Sequence, residues 1–182
     1  EHGDWDQARA AVAVLPGVVT PAGRPPPHTV ADRSESAPCR VADLDSLQFP
    51  DIFRWTDARR YAKCGTPYSI QTKRGCGFRC SFCIYGQIEG RTYRLRNPES
   101  VADEIERARK QAGIRCFEFT DSVFNHPPGH AEGICRALIR RKIDATFTTS
   151  GVNPKYFTPE LLRLMEDAGF EDFSFAPDSA AP

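Results

Sequence analysis

Residues 73–83 read KRGCGFRCSFC and place three cysteines, Cys76, Cys80 and Cys83, within eight positions, while the other four of the chain's seven cysteines are scattered. Thiolates are the usual protein ligands of iron–sulfur clusters, and three on one loop can reach three corners of a four-iron cubane. The next cysteine, Cys116, falls inside a predicted strand, so the fourth iron would lack a protein ligand. An open coordination position is what a catalytic metal site needs. Gly75 and Gly77 let the backbone turn around such a cluster. Two other readings stand beside this one: three ordinary buried cysteines, or a zinc site completed by a histidine. His126 and His130 are the nearest histidines, but the PPG between them breaks the helix that would align them, which favours plain loop histidines. Cys39, Cys64, Cys116 and Cys135 read as unpaired, the last two on the buried faces of a strand and a helix.

Around this loop the pattern is regular. Tyr68 to Thr72, Cys116 to Thr120, Ala145 to Thr149 and Asp172 to Ala176 are predicted strands, rich in β-branched and aromatic residues. A helical segment separates each pair. The first has Asn97 as N-cap, Pro98 at its first position, and Val101, Ile105 and Ala108 along one face. The second starts near Pro128 and buries Ile134 and Leu138. The third is capped by Thr158, carries Pro159 and Glu160 in its first turn, aligns Leu161, Met165 and Ala168, and stops at Gly169. The order βαβαβαβ requires parallel strands with helical crossovers, either as an open doubly wound sheet or as a barrel, and four strands cannot close a barrel. A sheet ending at Ala176 would leave an apolar edge, so the natural protein is expected to continue. The chain also begins at Glu1 rather than Met, and both ends read as cut.

The 182 residues suffice for one domain, or for one domain with a tail. Lys and Arg number 24 and Asp and Glu 24, which lacks the positive excess expected of a protein that grips nucleic-acid phosphates. The apolar run Ala11 to Leu15 is cut by Pro16 and Gly17, far short of the roughly 20 residues of a membrane helix, and no signal peptide opens the chain. An odd cysteine count with metal-like spacing fits a reducing compartment. These features point to a soluble, cytosolic protein. The stretch up to Pro50 is rich in Pro, Ala and Asp and includes GRPPPHT, an extended linker or frayed end.

The spacing CxxxCxxC with Phe82 before the last cysteine, placed just after the first strand of a βα series, resembles the radical S-adenosylmethionine (SAM) superfamily. KRGCGFRCSFC, RLRNPESVADEI, FTDSVFN and NPKYFTPELLRLMEDAGFEDFSFAPDSA are more narrowly similar to the branch whose members often carry an N-terminal cobalamin-binding domain. The resemblance runs from about Leu44 to Pro182. It implies an α/β fold made of the first strands of a partial parallel (β/α) barrel. Residues 1–50 would be a linker and remnant of a preceding cobalamin-binding domain, and 51–182 the N-terminal part of the radical SAM core.

The resemblance also implies the chemistry. Cys76, Cys80 and Cys83 would hold a 4Fe–4S cluster whose open iron binds S-adenosylmethionine, and an electron from the cluster would cleave the cofactor to methionine and a 5′-deoxyadenosyl radical. Phe82 would lie against the adenine, with a core aromatic as its other reading. Asp121 and Ser122, at the C-terminal end of the second strand, match the place that meets the methionine amino group. Asp178 and Ser179, within APDS where relatives more often read Gly-x-Glu-Ser, would contact the ribose or methionine end; a capping turn is the alternative. Arg74, Arg94 and Arg96 fit family positions near the loop but read as a solvated face. A flavodoxin- or ferredoxin-type electron donor and a small-molecule or lipid-like substrate are implied as partners. The Asp-x-His-x-x-Gly motif of a cobalamin domain is absent from the chain, and LPGVVTPAG resembles only that domain's last segment. CSFCIYGQIEGR followed by RLRNPESVADEI is also similar to tRNA methylthiotransferases, which carry a further cysteine-bearing domain. A cluster- or zinc-binding module without turnover is the reading from a different class.

Overall fold

A computed structural model describes residues 40–47, 53 and 55–175. The chain divides into two compact units, Glu1–Val41 and Ala42–Pro182, and all elements below belong to the second. In chain order they are helix α1 (Ala58–Lys63), strands β1 (Tyr68–Ile70) and β2 (Lys73–Arg74), helix α2 (Tyr85–Ile88), β3 (Arg94–Leu95), α3 (Pro98–Ala112), β4 (Cys116–Phe119), α4 (His130–Arg140), β5 (Thr146–Val152), a 3-10 turn (Pro154–Tyr156), α5 (Pro159–Ala168) and β6 (Phe170–Phe175).

Helix boundaries follow local chemistry. Asn97 is extended, its side chain accepts from the Glu99 amide, and Pro98 supplies a preset φ at a position whose N–H would have no partner. Thr158 caps α5 by accepting from the Leu161 amide, and Gly169 ends it at φ 97°, where a side chain would be strained. Helix α4 starts at His130 rather than at Pro128, because Gly129 takes a left-handed φ of 87° immediately before it.

Strands β1, β4, β5 and β6 form a parallel sheet in that order. Each new strand is added on the same side of its predecessor, with no reversal, so right-handed crossovers put α3, α4 and α5 on one face. A doubly wound sheet would instead reverse its strand order at a switch point. The sheet is thus the barrel-type arrangement. Tyr68, Phe117, Phe147 and Phe170 are successive register partners across the four strands, and ring centroids of neighbouring pairs lie 5.6 to 5.8 Å apart. This aromatic row, with Phe119 and Phe124, packs against Val101, Ile105, Ile134, Leu138, Leu161 and Met165 of the helices. Apolar burial on that scale is the main stabilising term.

Two expectations are corrected. Cys116 is exposed, not buried: Phe117 and Phe119 take the helix-facing side, and strand alternation turns Cys116 away, its Sγ 3.2 Å from Thr146 Oγ1. Arg96 is 3% exposed rather than solvated. It pairs with Glu104 Oε2 at 2.7 Å and donates to the Gln71 carbonyl at 2.9 Å, bolting the end of β1 to α3. No described helix is long and apolar enough to cross a membrane.

Candidate cluster and cofactor site

Chemistry in parallel α/β sheets collects beyond the C-terminal ends of the strands. There, β2 and β3 form an antiparallel ribbon with Lys73 opposite Leu95 and Arg74 opposite Arg94, and the cysteine triplet lies on the long connection between them. A two-residue pairing has no periodicity to read, so the ribbon was not apparent from sequence.

The connection is tied down at its base. Gly75 donates to Glu89 Oε2 at 3.1 Å, Cys76 to the Gly90 carbonyl at 3.0 Å, and Arg91 Nη1 to the Phe78 carbonyl at 3.0 Å. Gly75 sits at φ 94°, and a Cβ there would run into the carbonyl oxygen of Thr92, so only glycine fits. Cys76 is buried at the back of the loop, whereas Cys80 and Cys83 are exposed, and all three are free thiols. Cys83 Sγ lies 3.5 Å from the Tyr85 amide. Three unpaired thiols on one glycine-flanked loop fit the donor set of a cubane. Among the described residues, His, Cys, Asp and Glu side chains do not converge in threes on one point as around a single metal ion. A cubane needs no such convergence, because each thiolate takes a different iron.

Beneath the loop is a buried polar knot. Asp121 Oδ1 accepts from the amides of Thr72 (2.8 Å) and Lys73 (3.2 Å), and Oδ2 from Thr72 Oγ1 (2.5 Å) and Lys73 Nζ (3.2 Å). Lys73 Nζ also donates to the Phe124 carbonyl at 3.0 Å. Lys73 is 2% and Asp121 4% exposed. Burial pushes the Lys73 ammonium below the usual lysine range, and Asp121 opposes that fall. The Asp121 carboxylate, with both oxygens engaged in this knot, therefore anchors the start of the cysteine loop. Ser122, beside it, donates to the Gly75 carbonyl at 3.4 Å. Phe82 is 68% exposed among the described residues. Asp178 and Ser179 lie outside the described residues.

The histidines divide. His126 stands on a loop, 3.0 Å from the Tyr93 hydroxyl through Nδ1. His130 is the buried first residue of α4, not a loop residue, with Nε2 3.1 Å from Thr72 Oγ1 and 3.3 Å from the Thr72 carbonyl. Burial, then the Lys73 charge, pushes its pKa down to about 4. An unfolded histidine titrates near about 6.5, so the unfolded chain takes up the proton first. The stability from keeping His130 neutral is complete above about pH 6.5 and is lost as pH falls towards 4, on the order of 3 kcal/mol. Denaturant unfolding at pH 7 and pH 4.5 is expected to show a smaller acid loss in His130→Gln than in the parent. Equal losses would show that His130 does not set this slope.

Sequence reading missed Tyr93. Its hydroxyl lies 3.9 Å from Cys76 Sγ, and burial pushes its pKa up to about 12. Its ring packs on His126 at 5.2 Å, and His126, Phe78 and Tyr156 pack on one another with ring centroids 4.5 to 5.9 Å apart.

The chain is 32% identical over 133 residues to a tryptophan 2-C-methyltransferase of Streptomyces laurentii, covering 69% of this chain and 22% of that protein. It is 33% identical over 151 residues to an anaerobic magnesium-protoporphyrin IX monomethyl ester cyclase of Rubrivivax gelatinosus, covering 78% of this chain and 26% of that protein. The solved structure of the radical S-adenosylmethionine methyltransferase TsrM from Kitasatospora setae, with cobalamin and a 4Fe–4S cluster bound, matches with a TM-score of 0.58 at 32% identity, covering 63% of this chain and 23% of that one. The chain thus spans between a fifth and a third of the length of these relatives. Residues 70–182, from the end of β1 through the cysteine loop and every later strand, match the radical SAM superfamily, and the chain belongs to it.

Proposed function

We propose that the complete protein is a radical SAM enzyme in which Cys76, Cys80 and Cys83 hold a 4Fe–4S cluster with one iron open to S-adenosylmethionine. The observation that carries this reading is three unpaired thiols on one loop beyond the C-terminal end of a parallel sheet, the loop's base locked to the next strand's end through Asp121. When bound, the cluster supplies the electron that cleaves the cofactor's sulfonium to methionine and a 5′-deoxyadenosyl radical.

The chain's own residues position and shield. Asp121 and Lys73 fix where the loop leaves the sheet, and Ser122 holds the turn at Gly75. The exposed ring of Phe82 offers a face to the adenine, and Asp178 and Ser179 supply polar contacts to the ribose or methionine end. The N-terminal segment joins the core to a cobalamin-binding domain, a reading supported by the likeness to a methyltransferase solved with cobalamin bound. By their names the curated relatives act on tryptophan and on a protoporphyrin ester, and a small-molecule substrate is the class carried over. A flavodoxin- or ferredoxin-type protein delivers the electron.

Anaerobic reconstitution with iron and sulfide, then S-adenosylmethionine and dithionite, is expected to release 5′-deoxyadenosine. A fully loaded protein that releases none would overturn reductive cleavage.

A further inference from the structure

We propose that Tyr93, oriented by His126, donates a hydrogen bond to the Cys76 sulfur and thereby raises the reduction potential of the cluster. The inference rests on the reading of Cys76 as a cluster ligand. Of the three cysteines only Cys76 is buried, so its sulfur meets protein groups rather than water. The Tyr93 hydroxyl is the side-chain donor facing it, at 3.9 Å, and the same oxygen lies 3.0 Å from His126 Nδ1. A phenol has one proton. In the tautomer protonated at Nδ1, His126 donates to the tyrosine oxygen and leaves that proton for the sulfur. The ring is held in this pose: Tyr93 packs on His126 at 5.2 Å, and His126 in turn packs on Phe78 and Tyr156 at 4.8 and 4.5 Å.

Hydrogen bonds to ligating sulfurs are among the determinants of iron–sulfur potentials. A donor to a thiolate stabilises negative charge, and the reduced cluster carries one more negative charge than the oxidised one. The bond is therefore stronger in the reduced state, and the potential rises. Tyr93 is on this account a positioning residue, acting on the electron's energy without touching substrate.

The test is a redox titration of the reconstituted holoprotein followed by electron paramagnetic resonance, with iron and sulfide content measured alongside. Tyr93→Phe keeps the ring and removes only the hydroxyl. The midpoint is expected to fall by the equivalent of about a tenfold change in the one-electron equilibrium, about 59 mV. His126→Phe, which keeps the stacking and removes Nδ1, is expected to shift it the same way by less. An unmoved or raised midpoint in a fully loaded Tyr93→Phe protein overturns the inference alone. Should Tyr93→Phe not load, the midpoint of His126→Phe decides by the same criterion. A parent protein that takes up no cluster overturns the underlying reading and this inference with it.

Discussion

Replacing Asp121 with alanine is expected to destabilise the folded protein by about 3 to 5 kcal/mol, the cost of leaving a buried ion without its partner. Lys73 Nζ would keep only the Phe124 carbonyl, 3.0 Å away, while the Thr72 hydroxyl and the Thr72 and Lys73 amides would lose their acceptor in a dry environment. Lys73→Met removes the charge instead. Because the two side chains act as one unit, the loss in the double variant Lys73→Met/Asp121→Ala should be clearly smaller than the sum of the two single losses. Denaturant unfolding of the four proteins measures this. A loss below about 1 kcal/mol for Asp121→Ala, or simple additivity, would contradict the anchoring role.

Replacing Cys76, Cys80 or Cys83 singly with alanine is expected to cost nearly all cluster binding and all S-adenosylmethionine cleavage. On the proposed reading each thiolate would hold a different iron, and among the described residues no other cysteine stands on the loop. Cys116→Ala and Cys135→Ala are the controls. Cys116 is exposed on the first position of β4 and Cys135 is buried within α4, its thiol pushed up to about 12 by burial. Neither change should alter iron content or the broad absorption of the reconstituted protein. Loss of the cluster in either control would contradict the assignment of the triplet.

The parts of the fold written in local chemistry were legible. Asn97 before Pro98, Thr158 before Pro159 and Gly169 at φ 97° mark helix ends through hydrogen bonds within a few residues, so sequence reveals them directly. The four parallel strands were visible because aromatic and β-branched runs alternate with those helices. Contacts made across the fold were not. Lys73 and Asp121 meet over 48 positions of chain, and a lysine beside a loop ordinarily reads as solvated. Arg96 meets Glu104 of α3 and the Gln71 carbonyl just past β1, partners that its place beside a loop does not announce. Cys116 shows the limit of a strand assignment: the element was right, but which alternate face met the helices was decided by Phe117 and Phe119. At the site, the cysteines carried their own spacing signal. Tyr93 and His126 carried none, since their meeting depends on the connection between β2 and β3 turning back over the sheet's end.

On the proposed reading one iron of the cluster is open to the cofactor. Electron paramagnetic resonance of the reduced, fully loaded protein with and without S-adenosylmethionine tests it most directly, because new nitrogen and oxygen ligands change the iron's electronic environment. The account predicts a changed spectrum at saturating cofactor, retained in Cys116→Ala. A spectrum that does not move, in the complete protein with its cluster fully assembled, would contradict it and leave a cluster carrier in place of an enzyme.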